Sequence, residues 1–136
     1  MSWTTPKTNW TTSDTFNISD FNRIKNNLQY VYENSQMIFG EYDIIDMGAD
    51  VESVAVMWDV AVFNAFESNM DTINQHMLNY DLGVKKTFYA NGVFITYDEL
   101  NRLESGTELL KNIIDGWIEG MAMLPFRLGA KRAIKE

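Results

Sequence analysis

The chain contains no cysteine. Disulfides and thiolate metal sites are therefore impossible within it, and the fold must stand on packing alone. Histidine is nearly as scarce, with His76 the single copy. A histidine metal centre or a Cys–His nucleophile pair cannot be assembled from one such chain. Basic charge is also short: eleven Lys and Arg against nineteen Asp and Glu leave a formal charge of −8. That balance speaks against nucleic acid as a partner, because a phosphate backbone calls for a positive surface. The one basic cluster, Lys131, Arg132 and Lys135, reads as a solvated tail. Long apolar runs are missing too. The opening MSWTTPKTNW has no h-region, so no signal peptide is expected. Residues 54–66 are interrupted by Asp59 and Asn64 and are too short for membrane insertion. The expected location is the cytoplasm or the inside of an assembly. Phosphate-cradling glycine loops, a nucleophile elbow and HExxH are absent as well, and no cofactor is expected.

What is present is apolar and aromatic: 46% hydrophobic residues exclude general disorder, and 136 residues suit a single core. Periodicity predicts a mainly α fold, three principal helices packed as a small bundle with one short β-hairpin and an extended N-terminal arm. The arm, residues 1–15, carries Trp3 and Trp10 as anchors, since a loose polar arm rarely holds two tryptophans. Helix one is expected over residues 18–32, with Phe21, Ile24, Leu28 and Val31 forming one apolar stripe. Residues 33–49 read as irregular, with IFGEYDII a candidate short strand. Helix two is expected to start after Asp50 as its cap and to reach His76. VESVAVMWDVAVFNAF, apolar nearly all round, is the candidate central helix, with a strand as the alternative. TFYANGVFIT, residues 87–96, places Asn91-Gly92 between two β-prone runs, a strong hairpin signal. Helix three follows from Thr96 with a heptad-like seam through Leu100, Leu103, Thr107, Leu110, Ile114, Trp117, Met121 and Leu124. Ser105 and Glu108 have the spacing of a fresh capping box, a candidate break. Pro125 is expected to end the helix, leaving residues 125–136 as a tail and 16–124 as the domain.

One stretch is written twice. FNISDFNRI at residues 16–24 and ITYDELNRL at 95–103 lie 79 positions apart. Asn17 and Thr96 stand where helix caps stand, with Asp20 and Glu99 three residues later to reach back. Phe16 and Ile95 precede the caps, and Phe21 and Leu100 follow at the spacing of a hydrophobic staple. Helix-start grammar thus explains most of the repeat. It does not require Asn22-Arg23 and Asn101-Arg102, which leave chance, a surface ion pair or a shared docking geometry as explanations. Together with Trp3 and Trp10, these four are the candidate interaction residues.

PKTNWTTSDTFNISDFNRIKNNLQYV resembles a segment of small tail and baseplate-region proteins of phages and prophages of Gram-positive bacteria: Pro-Lys-Thr-x-Trp, Phe-Asn, then Asp-x-Asn-Arg-Ile. FITYDELNRLE and LPFRLGAKR are similar to companion segments of such proteins. The resemblance implies a non-enzymatic virion structural protein in the tail region, made in the host cytoplasm, multi-copy and homo-oligomeric, with other virion proteins as partners.

Chemistry finds little purchase. His76, in NQHML near a helix end, suits a capping or surface role. The acidic run Glu41, Asp43, Asp46, Asp50 and Glu52 around Gly48 fits a calcium loop poorly and reads as solvated loop plus helix cap. No carboxylate pair is singled out as a glycosidase couple. The rival functions are a carbohydrate-binding receptor-recognition module, motivated by Trp3, Trp10 and Tyr80, and a transient tail-assembly factor.

Overall fold

The computed structural model describes residues 3–57, 59–89 and 95–135, without the side chains of residues 55–56 and 121–135. Helix α1 spans Ile18–Phe39, a single turn α2 spans Val54–Met57, α3 spans Val60–His76 and α4 spans Tyr97–Lys135. The architecture is mainly helical: α1, α3 and α4 each pack against the other two, and the core lies on their shared axis.

The three long helices begin alike. Each cap, Asn17, Asp59 or Thr96, is followed four residues on by a buried Phe21, Phe63 or Leu100. Ile24, Phe66 and Leu103 come at seven, and Val31, Ile73 and Leu110 at fourteen, all at most 2% exposed. Steps of four, three and seven return to one helical face, so each helix offers the same stripe to the centre. Phe21, Phe63 and Phe66 meet there with ring centroids 5.2–5.6 Å apart. Each fully buried apolar side chain of this size contributes about 1.5–3 kcal/mol.

Several boundaries differ from expectation. Helix one continues to Phe39, so IFGEYDII is no strand; Ser35 is buried inside it and donates to the Tyr32 carbonyl. Helix two starts later, because Asp59 and not Asp50 accepts from the first-turn amide of Ala61 (2.9 Å). Asp50 instead pairs with Lys25 at 2.7 Å. The expected break near Ser105 is absent. Gly106 sits inside α4 where a Cβ would meet the Met70 sulfur at 3.0 Å, so glycine here marks close helix approach. Helix α4 also runs past Pro125 to Lys135, against the expected tail. An internal proline removes one backbone hydrogen bond without necessarily ending a helix. Of the expected hairpin, Asn91-Gly92 lies outside the described residues, and residues 87–89 and 95–96 are not strand. The Phe88 N–H and C=O, which a ladder would need, are both held by Asn64.

Candidate functional site

The chain between the long helices is largely irregular and forms no sheet among the described residues. Its backbone polar groups must still find partners, and asparagine side chains supply them. An asparagine amide carries a donor and an acceptor side by side, so it can grip both the N–H and the C=O of one residue. Six do so. Asn22 grips Val51, Asn27 grips Thr4, Asn64 grips Phe88, Asn69 grips Ile45, Asn74 grips Tyr80 and Asn101 grips Trp10, all at 2.6–3.1 Å.

These clamps share one plan. Asn22, Asn64 and Asn101 each stand five residues after the cap of their helix. Asn27 and Asn69 stand five further on, and the matching place in α4 is Gly106, where Leu82 passes close by. Each segment is thus engaged at two points six residues apart, one on the helix it leads into and one on a neighbouring helix. Thr4 rests on α1 and Trp10 on α4; Ile45 rests on α3 and Val51 on α1; Leu82 rests against α4 and Phe88 is gripped by α3. The protein is three segment-plus-helix units, and the third unit's helix holds the first unit's arm.

Ion pairs tie the units together. Arg23 of α1 donates through Nε and Nη2 to the buried Glu104 of α4 at 2.7 and 2.9 Å, and through Nη1 to Asp20 at 2.8 Å. Glu104 also accepts from the Lys7 backbone amide (3.0 Å) and the Trp10 indole N–H. Arg102 of α4 repeats the arrangement with Glu67 of α3 and its own Glu99, while Glu67 takes the Lys86 amide. At the third joint the pattern changes: Ala65 replaces the arginine and Lys25 the glutamate. Lys25 turns to the Gly48 carbonyl (3.1 Å) and Asp50. Burial works against the Arg23 charge, but its hydrogen bonds to Glu104 and Asp20 prevail and hold its pKa above the usual value. Burial pushes the Glu67 carboxyl up from its ordinary range, against the lowering pull of Lys86 and Arg102.

All six candidate interaction residues find partners within the chain. Trp3 lies on Tyr30 with ring centroids 5.7 Å apart, beneath the Lys111 ammonium. Trp10 is 4% exposed, with Phe16 beside it. Asn22, Arg23, Asn101 and Arg102 are the clamp and ion-pair positions just described. The geometry also shows a third copy of the repeated stretch that the sequence reading missed, WDVAVFNAF at residues 58–66. Its signal was present: Asn64-x-x-Glu67 matches Asn101-x-x-Glu104.

Elsewhere the chemistry is sparse. His76 stacks on Tyr42 with centroids 4.1 Å apart, and its Nδ1 lies 2.9 Å from the Thr72 carbonyl. A polar cleft of about 150 Å³ lies between α3 and residues 79–85, lined by Glu67, Asp71, Lys85 and Arg102 among others. No group of three His, Asp or Glu among the described residues is placed to hold a metal ion. No helix there is long and apolar enough to cross a membrane. The arrangement is suited to holding extended peptide: paired amide clamps at fixed spacing, with a buried carboxylate that takes an indole N–H. No family model, no curated protein and no solved structure matches the chain.

Proposed function

We propose that the chain is a non-enzymatic structural protein of a tailed-phage virion, present in several copies in the tail or baseplate region. The resemblance of PKTNW, FNISDFNRI and FITYDELNRLE to such proteins motivates the reading. The observation that carries it is the length of α4. At 1.5 Å per residue its 39 residues run about 58 Å, against about 33 Å for α1 with 22. Phe39, the last residue of α1, meets Trp117, so α4 continues beyond that level by up to about 27 Å. The seam of Leu110, Ile114 and Trp117 continues in the sequence through Met121 and Leu124, followed by Arg127, Lys131, Arg132 and Lys135. An apolar seam at heptad spacing with flanking charge suits helix packing between subunits.

The polar side chains favour architecture over catalysis. Among the described residues, every buried side-chain nitrogen or oxygen has a hydrogen-bond partner, and the two most buried carboxylates, Glu67 and Glu104, hold loops and arginines. Of the three aromatics that motivate the sugar-binding alternative, Trp10 is buried and Trp3 lies on Tyr30, which leaves Tyr80 at the polar cleft. Mass spectrometry of purified virions of a phage encoding the chain tests the proposal. Peptides at a fixed stoichiometry to the other tail proteins are expected. Presence in the lysate with absence from the particle would instead identify a transient assembly factor.

A further inference from the structure

The three units close on one another through three joints, and only two of these are bridged by a connecting segment. Residues 40–59 link the first helix to the second and residues 77–96 link the second to the third. The joint between α4 and α1 is held by packing, by Arg23–Glu104 and by the arm. The arm reaches that joint through residues 11–15, all exposed, arranged in a turn in which the Asp14 amide donates to the Thr11 carbonyl at 3.0 Å. Phe16, against Trp10 and Phe63, is where the chain re-enters the apolar packing after the turn.

We propose that the groove between α1 and α4 is an acceptor site for an extended Thr-x-x-Lys-x-x-Trp segment, and that a second copy of this chain supplies it by arm exchange. The site reads register at four points. Asn27 takes the backbone of Thr4 and Asn101 the backbone of Trp10, Glu104 takes the Lys7 amide, and its second oxygen takes the Trp10 indole. All of these contacts lie outside residues 11–15. An arm from another copy can therefore make every one of them while only the exposed turn changes shape, which is the low-cost condition for exchange. The occupant is a second copy because its arm carries the full pattern by identity. Neither the segment around Phe88 nor the one around Val51 offers an indole for Glu104 at the place of Trp10. The inference does not depend on a virion role and would stand or fall in any setting.

Full-length Trp10→Ala weakens the resident arm and leaves the groove intact. A fluorescent peptide of residues 2–13 should bind this variant saturably, and the same peptide with alanine for Trp10 should bind at least about tenfold more weakly, having lost a charge-assisted hydrogen bond and the buried indole. Adding Asn101→Ala to the variant should reduce binding similarly. If Trp10→Ala alone fails to fold, the peptide should restore its helical circular dichroism. A variant that neither binds the peptide nor regains helix with it overturns the acceptor site. Wild-type chain refolded from denaturant at rising concentration should yield a growing species of twice the chain mass by light scattering. A monomer at every concentration overturns the exchange.

Discussion

Replacing Asn101 separates the clamp from the helix that carries it. In the native chain its side chain accepts from the Trp10 N–H at 2.7 Å and donates to the Trp10 C=O at 3.0 Å, beside a residue only 4% exposed. Asn101→Ala removes both bonds and leaves a buried donor and acceptor of Trp10 unpaired. A hydrogen bond is worth about 1 kcal/mol net, but an orphaned buried polar group costs about 1–3 kcal/mol. A loss of about 2–4 kcal/mol is expected after allowing for some water entry. Asn101→Asp keeps the volume and the acceptor but cannot donate to the Trp10 carbonyl and sets a carboxylate beside it. It should cost nearly as much as alanine. Asn26→Ala is the control, since its bond to Asp50 is exposed; it should cost under about 0.5 kcal/mol. Urea unfolding followed by tryptophan emission measures all three. If Asn101→Ala falls with Asn26→Ala, or if Asn101→Asp is silent, the two-sided grip is not what holds the arm.

Arg23→Ala strands Glu104 at 2% exposure and should cost about 3–5 kcal/mol of folding stability by urea denaturation; a loss under 1 kcal/mol would mean that water replaces the guanidinium freely. Glu67 has its folded pKa raised, so its favourable contribution is complete below the ordinary value of 4.5 and is lost as pH rises through the folded value. Measured from pH 4 to pH 8, wild-type stability should therefore decline relative to Glu67→Gln, and a difference that stays flat or grows in favour of the wild type contradicts the burial effect. Asp59→Ala removes the cap that accepts from Ala61 and should lower the unfolding free energy by about 1 kcal/mol; an unchanged urea midpoint would assign the start of α3 to packing alone.

The helices were legible because their apolar stripes obey a 3.6-residue period, as Phe21, Ile24, Leu28 and Val31 do. The doubled FNISDFNRI was legible as helix-start grammar for the same local reason. Its third copy was not. WDVAVFNAF lacks the arginine, and the caps are spaced 42 and 37 residues apart, so no fixed period exposes it. The clamps were out of reach for a different reason. Asn101 meets Trp10 across 91 positions and Asn22 meets Val51 across 29. An asparagine with a backbone partner that remote carries no local signature, and Asn22 and Asn101 read as docking residues. The expected hairpin rested on Asn91-Gly92 between two β-prone runs, and in the first of these the backbone of Phe88 is held by the Asn64 amide rather than by a strand partner.

Backbone hydrogen exchange tests the three-unit plan most directly, because extended chain without a sheet has no other general reason for slow amides. The account predicts that Thr4, Trp10, Ile45, Val51, Tyr80 and Phe88 exchange slowly, while the exposed Asn9, Glu52 and Tyr89 exchange fast. Six gripped amides that exchange as fast as these three neighbours would contradict it.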